Sequence, residues 1–524
     1  MSHSKDNQSN MLQRIVEMGI TLSTEPNIDR LLELILELSQ SLLRADGGTL
    51  YRLTPEQNLR FTIVRNQSLK IKMGGTQGSP IDLSQLKDLP LMIDGKPNAR
   101  NIAAHTAITK KISNIEDAYD AQGFDFSGAK AFDERMQYRT QSVLAIPLID
   151  HEDKVLGVLQ FVNALNEKNE RIPFSEFNQN IAESLASQAA ISLQNRLLIN
   201  QLNNLFEALI NLINTAIDEK SPYTGGHCMR VPELTLMLAE ASHQEKEGPL
   251  AHFHLTDKDR YELKIASMLH DCGKITTPVH VVDKGRKLET IFDRMALIKS
   301  RFEIARRDLI IEKLNQSSRA DENLDEIYHA REKALLDDLH FLETANVGGE
   351  RMKEEDIKRI QSIAKKTWID AEGKTQPLLT EEEVYNLSIL AGTLTKEERD
   401  IINYHIEATI KLLNQIPWPE HLKNVVEYAG GHHERMDGKG YPKGLKREEM
   451  SIQARCMGIA DIFEALTASD RPYKKGMPLS QSLNIMNRMK DEGHIDPDLF
   501  DVFMKHKIYL EYAKKFLTPE QIDI

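Results

Sequence analysis

Cysteine, tryptophan and long apolar runs are scarce in this chain of 524 residues. The three cysteines, Cys228, Cys272 and Cys456, are too few for a disulfide framework in a chain of this length. No apolar stretch approaches the roughly 18 residues that a membrane-spanning helix needs. The first ten residues also lack the apolar segment of a secretory signal. These absences predict a cytoplasmic protein with no membrane span.

An excess of positive charge is also missing. Lysine and arginine number 66 against 79 aspartates and glutamates, which leaves a net charge of −13. Neutralising the phosphates of DNA or RNA requires an excess of basic side chains, so the composition argues against a nucleic-acid partner. A small anionic ligand in a local basic pocket remains compatible with it. Apolar residues at 40% and charged residues at 28% are typical of a folded chain, and the length predicts three or four folded units.

The first 200 residues combine helical and strand-like patterns. Residues 27–43 place apolar side chains at helical spacing, behind an asparagine that can cap the helix. Residues 49–65 have the pattern of two strands around a polar turn, and residues 142–149 and 155–162 that of two more. The chain becomes helical again from about Phe177. The pattern predicts an α+β domain.

Residues 178–218 form a predicted connecting helix. Its apolar residues alternate in steps of four and three, the a/d pattern of a coiled coil; they are Ile191, Leu198, Leu202, Leu205, Leu209, Leu212 and Ala216. Asn195 occupies the seam position between Ile191 and Leu198, where a polar residue can define the register. We favour a parallel homodimer through this helix. A helix packed on its own domain is the alternative for so short a run.

Residues 290–392 are dense in alternating charges. Helical periodicity extends over residues 292–314 and 324–342, and the glycine pair at 348–349 predicts a break between helical pieces. This segment is predicted to be a helical hairpin with solvated faces, inserted into the unit that carries the chemistry. It could serve as a lid, as the surface for a protein partner, or have no catalytic part.

Histidine and aspartate concentrate in a few short segments of the second half. The candidate metal ligands are His227, His270, Asp271, His405, His432, His433 and Asp461. Imidazole nitrogen and carboxylate oxygen together suit iron, manganese or zinc. Seven candidates exceed the six ligands of one octahedral ion, and a His-Asp dipeptide lets its carboxylate bridge two ions. A two-metal site activates water and clamps the oxygens of an in-line displacement at phosphorus, which predicts hydrolysis of a phosphate ester.

Taken singly, several of these residues have a simpler explanation. An isolated histidine on a helix, such as His405 or His280, is more often packed or exposed than a metal ligand. Cys228 and Cys272 adjoin candidate ligands, but small buried cysteines are more often packing residues. The adjacent pair His432-His433 before the glycine-rich sequence DGKGYP is the specific signal.

The N-terminal pattern resembles the GAF domain, a widespread sensory module, over residues 15–195. The similarity rests on the first helix, on ADGGTLYRL and on SVLAIPLIDHEDKVLGVLQFVNAL. Members that bind cyclic nucleotides tend to carry an Asn-Lys pair after the last strand, where this chain has Asn163-Ala164. This departure argues against a cyclic mononucleotide. The GAF ligand is therefore left open, and a ligand-free dimerisation scaffold is an equal alternative.

The histidine segments resemble the HD-GYP family of bacterial phosphodiesterases, which hydrolyse cyclic di-GMP. The similarity covers about 200–289 and 393–515 and rests on HDCGK, HHERMDGKGYP and ADIFEALTASDRPYK. It implies an all-α domain with two divalent metal ions per chain, iron or manganese. Both name-giving motifs are intact, which implies an active enzyme.

The resemblance also implies a role for each candidate. His227, His270, Asp271 and Asp461 would hold one metal, and Asp271 would bridge to a second metal held by His405, His432 and His433. Members with a third metal have a glutamate four residues before the first histidine. Here that position is Tyr223, which implies two metals.

Substrate binding is assigned to the remaining motif residues. Lys274, three residues after the catalytic Asp271, would neutralise charge on the phosphate, and Arg471 and Lys474 match the family's contacts to substrate phosphate. Tyr441 either contacts substrate or anchors its own loop on the core. Arg435 and Asp437 could form a salt bridge within that loop.

These observations predict a multidomain chain. A flexible terminus (1–14) precedes an α+β GAF domain (15–195) with an antiparallel sheet and flanking helices, and a connecting helix (178–218) leads to an all-α HD-GYP domain (200–515) with a helical insertion (290–392). The expected activity is hydrolysis of cyclic di-GMP to pGpG, GMP or both, regulated by the GAF domain. Two alternatives stay open, namely a hydrolase of another cyclic dinucleotide such as 3′,3′-cyclic GMP-AMP, and a catalytically weak protein that binds cyclic di-GMP.

Overall fold

A computed structural model describes residues 17, 19–82, 84, 86–220, 226–316, 322–348, 351–469 and 476–524. Four sets of sequence predictions lie outside these residues: the terminus 1–14, Tyr223, the second glycine of the pair at 348–349, and the two phosphate contacts Arg471 and Lys474. The chain divides into two compact units, residues 1–205 and 206–524. Each is described by itself.

The first unit is built on an antiparallel sheet with the strand order β3-β2-β1-β9-β8-β7. Two short strands extend it, since β4 pairs with β2 and β10 pairs with β9, and β5 pairs with β6 in a separate hairpin. The strands are β1 Ala45–Leu53, β2 Asn58–Asn66, β3 Ile71–Gly74, β4 Leu89–Pro90, β5 Met92–Ile93, β6 Lys96–Pro97, β7 Ser113–Ile115, β8 Val143–Ile149, β9 Val155–Leu165 and β10 Arg171–Ile172.

Helices cover both faces of this sheet. The predicted first helix is confirmed as α1 (Ile28–Leu43), and the Asn27 side chain accepts a hydrogen bond from the backbone N–H of Arg30 as an N-cap does. Helices α2 (Ile102–Thr109) and α3 (Ser127–Met136) follow. One core forms between α1, the sheet and residues 181–193 of the long helix described next, and a second core forms around Tyr51, Ala103 and Val158. The predicted antiparallel sheet with flanking helices is confirmed.

The predicted connecting helix is a single helix of 45 residues, α4 (Glu176–Lys220). Its first part buries Leu185 and Leu193 in the core of the first unit, and Ile210 and Ile217 are buried in the core of the second. The five seam leucines lie outside both cores, and between 49% and 65% of the surface of each residue is exposed. The helix is therefore confirmed, and the dimer stays a prediction.

The second unit is almost entirely helical around one large apolar core. Its helices are α5 His227–His243, α6 Asp257–Leu269, α7 Val279–Val282, α12 Lys396–Leu413, α13 Val425–Gly430, α14 Ile452–Thr467, α15 Leu479–Asp491, α16 Pro497–Lys505 and α17 Ile508–Phe516. Short 3-10 turns span Cys272–Thr276, Glu420–Leu422, Arg447–Glu449 and Pro519–Gln521. All three cysteines are buried and free, as the packing interpretation expects.

The insertion has a core of its own. The predicted hairpin is present as α8 (Met295–Gln316) and α9 (Glu322–Asn346), and the structure adds α10 (Glu354–Ala364), a two-stranded hairpin of β11 (Thr367–Ile369) and β12 (Thr375–Pro377), and α11 (Glu381–Leu387). These pieces enclose a small apolar cluster that includes Phe302, Leu342 and Leu378. Alternating charges in the sequence conceal this core, because each helix of the insertion contributes at most three buried apolar residues to it. Within the described residues, no helix combines the length and apolarity needed to cross a membrane.

Candidate metal centre

The HDCGK segment lies where helix α6 ends. His270 follows the last residue of α6, and the chain then tightens into the 3-10 turn Cys272–Thr276. The backbone N–H of Gly273 donates to the Thr409 hydroxyl at 2.9 Å. A Cβ atom at Gly273 would lie 2.0 Å from the carbonyl oxygen of His405, so only glycine permits this approach. The motif is thereby held directly against α12, the helix that carries His405.

Four predicted ligands form a first group. The His227 Nε2 atom lies 3.2 Å from His270 Nε2, 3.2 Å from Asp271 Oδ2 and 3.3 Å from Asp461 Oδ1. His270 Nε2 lies 3.3 Å from the same Asp271 oxygen and 3.8 Å from Asp461 Oδ1. His227 begins α5, and Asp461 projects from α14. Three separate helical elements therefore converge on one point.

The other three predicted ligands form a second group beside the first. His405, His432 and His433 each offer a ring nitrogen, and the three nitrogens lie within 4.8 Å of one another. The Oδ1 atom of Asp271 lies 3.2 Å from His405 Nε2, while Oδ2 faces the first group. The Asp271 carboxylate thus lies between the two groups, one oxygen toward each. All seven predicted ligands are brought together.

Hydrogen bonds to backbone carbonyl oxygens set the orientation of three of these rings. The Nδ1 atoms of His270 and His432 lie 2.7 Å and 2.6 Å from the carbonyl oxygens of Ser267 and Ala429, and Nδ1 of His405 contacts the carbonyl of Ile402. Since a carbonyl only accepts, Nδ1 carries a proton in each of these rings, and Nε2 is the nitrogen turned toward the other candidate ligands. The Nε2 atoms of His405 and His432 and Oδ1 of Asp271 are buried without a hydrogen bond. Such orphaned atoms facing one another fit a bound cation.

The electrostatics of the centre favour a positive charge between the carboxylates. Burial by itself lowers the pKa of His270, but Asp271 and Asp461 outweigh it and raise the pKa to about 9. Burial instead lowers the pKa of His433 to about 4, so this ring is a neutral imidazole at neutral pH. One group of candidate ligands therefore attracts a cation, and His433 in the other group is already in the neutral form that binds metal.

Lys274 is the basic residue of the centre. Its Nζ atom lies 2.5 Å from Asp271 Oδ2, and its side chain is 20% exposed. Burial lowers the pKa of this lysine, but the Asp271 and Asp461 carboxylates outweigh it and raise the pKa. The ammonium group is therefore present at neutral pH, beside the carboxylate shared by the two groups.

The loop that follows the histidine pair is held tightly against the centre. The buried carboxylate of Glu434 accepts the backbone N–H groups of Lys443 and Leu445 at 2.7 Å and 2.9 Å. The Tyr441 ring stacks on His433 with a centroid distance of 4.9 Å and an interplanar angle of 16°. Tyr441 therefore packs its loop against the ring of a candidate ligand, and its contact with substrate stays a prediction. The predicted salt bridge between Arg435 and Asp437 is present at 2.9 Å.

Glu464 is a residue of this site that sequence reasoning missed. Its carboxylate is fully buried, lies 2.5 Å from His227 Nδ1 and accepts a hydrogen bond from Arg230 Nε at 2.8 Å. Glu464 follows Asp461 by three residues on α14, and side chains at that spacing share a helix face. That spacing was the available signal. The carboxylate fixes the orientation of the His227 ring through Nδ1, the kind of partner that metal-binding histidines commonly have.

We expect Glu464→Gln to weaken the affinity of the first group for a divalent ion by roughly 10- to 100-fold. The amide removes the charge that orients His227 but keeps the length of the side chain. Isothermal titration of the metal-free protein with Mn²⁺ measures the change. Asp496→Asn is the matched control, since Asp496 is also a fully buried carboxylate, paired with Arg447 and Arg455, but lies in another network. Equal losses in both variants would contradict the prediction.

Comparison with known proteins agrees with this architecture. Residues 27–193 match the family model of the GAF domain, and residues 380–499 match that of the HD domain. The chain therefore carries a GAF domain followed by a helical region with an HD domain. Among solved structures, the GAF domain of a phosphoenolpyruvate-protein phosphotransferase from Coxiella burnetii covers 37% of this chain and 99% of its own, at 16% identity and a TM-score of 0.28.

Two curated relatives are similar over short stretches. The chain is 44% identical over 82 residues to the 3′3′-cGAMP-specific phosphodiesterase 1 of Vibrio cholerae, which is 16% of this chain and 19% of the relative. It is 38% identical over 114 residues to a cyclic di-GMP phosphodiesterase of Pseudomonas aeruginosa, which is 22% of this chain and 26% of the relative. The chain thus spans about a fifth to a quarter of the length of these two relatives.

Proposed function

We propose that this chain is a metal-dependent phosphodiesterase of the HD-GYP type that hydrolyses cyclic di-GMP to pGpG, GMP or both, regulated by its GAF domain. The observation that carries the proposal is the Asp271 carboxylate between two groups of buried ligands whose lone pairs face one another. Relatives named as cyclic di-GMP phosphodiesterases support the substrate class.

The ligands would hold two divalent ions, iron or manganese. His227, His270, Asp271 and Asp461 would take one, and Asp271 with His405, His432 and His433 would take the other. When bound, two such ions lower the pKa of water and neutralise charge on a phosphate. Carboxylate and imidazole suit both metals, and the absence of a thiolate among these ligands disfavours a structural zinc site.

The chain's own residues would supply orientation and charge. Lys274 would place its ammonium group beside the scissile phosphate and stabilise the charge that develops there. Tyr441 would hold His433 and the loop in place and border the bound substrate. Arg471 and Lys474 are proposed to hold the second phosphate, since a guanidinium grips phosphate oxygens bidentately.

The connecting helix offers a route for regulation. Lys220 in its last turn donates to the backbone carbonyls of Lys274 and Ile275. A shift or rotation of α4 would therefore move the turn that carries Lys274. We also propose a parallel homodimer through the exposed leucine seam, and a protein partner for the insertion, where Ile291, Ile311 and Leu336 are exposed.

A first test is anaerobic purification with metal analysis, followed by incubation with cyclic di-GMP and, separately, with 3′,3′-cyclic GMP-AMP. We expect about two ions per chain and conversion of cyclic di-GMP to pGpG or GMP on chromatography. Faster hydrolysis of 3′,3′-cyclic GMP-AMP would favour the second candidate, which the Vibrio cholerae relative's name supports. A metal-replete chain that leaves both intact would contradict the enzyme, and signalling unchanged by His432→Ala would then favour a receptor.

A further inference from the structure

The insertion joins the second unit at a buried lysine. Lys284 lies two residues after α7, in the segment that connects HDCGK to the insertion. Its side chain has no exposed surface. The Nζ atom lies 2.8 Å and 2.7 Å from the two carboxylate oxygens of Glu398 and 3.1 Å from Asn386 Oδ1. Asn386 lies near the end of the insertion and Glu398 follows the insertion, so Lys284 joins the chain before the insertion to the chain at its end.

Glu398 is at the same time the residue that closes the first turn of α12. Its carboxylate accepts the backbone N–H of Thr395 at 2.8 Å, and the Thr395 hydroxyl accepts the Glu398 N–H at 3.2 Å, which is a capping box. The Thr393 hydroxyl donates to the carbonyl oxygen of Lys284 at 2.8 Å. The start of α12 is therefore tied to Lys284 through both side chain and backbone.

Helix α12 carries this constraint to the metal centre. His405 follows Glu398 by seven residues, which is two helical turns on the same face. One turn further on, the Thr409 hydroxyl donates to the carbonyl of His270 at 3.2 Å. His405 is the ligand of the second group that comes from α12, whereas His432 and His433 follow α13. A displacement of the first turn of α12 would therefore move one ligand of the second group and spare the other two.

We propose that Lys284 is a positioning residue for the second metal ion. Its contacts with Glu398 and Asn386 fix the first turn of α12 and thereby the position of His405. The inference rests on the proposed two-metal function. The insertion takes part because Asn386, in its last helix α11, supplies the remaining acceptor around the Lys284 ammonium group. We call the contacts among Lys284, Asn386 and Glu398 the brace. An event that loosens the insertion would release the second ion before the first.

Lys287 provides a matched control on the same segment. It is equally buried, and its Nζ atom donates to the carbonyl oxygens of Leu387 and Ile389 at 3.0 Å and 2.8 Å. These contacts tie the segment that enters the insertion to the far end of the insertion, and they do not involve α12. Loss of either lysine should lower the thermal midpoint of unfolding. A difference in metal binding between the two variants therefore separates an effect on the position of His405 from a general loss of stability.

The experiment loads the full chain with Mn²⁺ under anaerobic conditions and compares wild type, Lys284→Met and Lys287→Met. Bound Mn²⁺ is counted after gel filtration, and electron paramagnetic resonance distinguishes a spin-coupled pair from a single ion. We expect Lys284→Met to keep one ion and lose the coupled signal, with the second dissociation constant raised about 30-fold or more. Lys287→Met should keep two coupled ions. Glu398→Gln, which preserves side-chain size, should behave as Lys284→Met does.

Two outcomes overturn the inference. Lys284→Met and Glu398→Gln with a coupled pair at wild-type affinity would show that His405 does not depend on the brace. An equal loss of the second ion in Lys287→Met would show that the effect is general destabilisation. A wild-type chain that binds fewer than two ions would instead overturn the proposed two-metal function, and the positioning role with it.

Discussion

Replacing Asp271 by asparagine is expected to lower kcat/KM for cyclic di-GMP by at least about 10³-fold. The carboxylate contacts both ligand groups, through Oδ2 toward His227 and Oδ1 toward His405. An amide offers one neutral oxygen in place of two charged ones, so it cannot serve both groups. We therefore expect the metal content to fall below two ions per chain along with the activity.

Three measurements together test this expectation: metal content, steady-state kinetics and the thermal midpoint. Asp257→Asn is the control, because Asp257 is a fully exposed aspartate in the first turn of α6 and makes only a surface contact to Arg260. It should leave activity and metal content unchanged. An Asp271→Asn variant that retains two ions and a tenth of the wild-type activity would contradict the role of a shared ligand.

Replacing Leu205 and Leu209 by glutamate is expected to convert a dimer to a monomer. About half of each residue is exposed, 59% of Leu205 and 49% of Leu209, although both belong to an apolar seam. Burying a leucine contributes roughly 1.5 kcal/mol or more, and a dimer buries four of them at these two levels. The loss of about 6 kcal/mol corresponds to a rise of roughly 10⁴-fold in the dissociation constant.

Analytical ultracentrifugation of the full chain over a range of concentrations gives that constant. Asn204→Glu combined with Asn211→Glu adds the same charge to exposed positions of the same helix outside the seam, so it should stay dimeric. A wild-type chain that sediments as a monomer would refute the dimer. A seam variant that dimerises like wild type would refute its placement on this helix.

Much of the site could be predicted from the sequence because the chemistry of a metal ligand is restrictive. Few side chains bind a divalent ion, and the pair His432-His433 before a glycine-rich loop is uncommon enough to single out a candidate site. The first helix and its Asn27 cap were predictable for a similar reason, since local hydrogen bonds determine them. Such features depend on residues near one another in the chain.

The supporting residues were harder to predict because their partners are distant in sequence. Glu464 is 237 positions from His227, and Glu398 is 114 from Lys284. The three-residue spacing from Asp461 places Glu464 on the same helix face, but the local pattern identifies neither its partner nor the lysine that Glu398 meets. Only folding, which buries most of each carboxylate against its partner, gives these glutamates a specific role.

Residue chemistry and periodicity were enough to predict the candidate ligands, their order along the chain, the antiparallel sheet with flanking helices and the long connecting helix. Three-dimensional packing was needed for the rest: Asp271 faces both groups of candidate ligands, Tyr441 stacks on His433, and the insertion has its own core and joins the second unit at Lys284. Periodicity and residue chemistry act locally and can be read along the chain. Which buried charge meets which partner depends on packing across more than a hundred residues, because burial makes an unpaired charge too costly to leave alone.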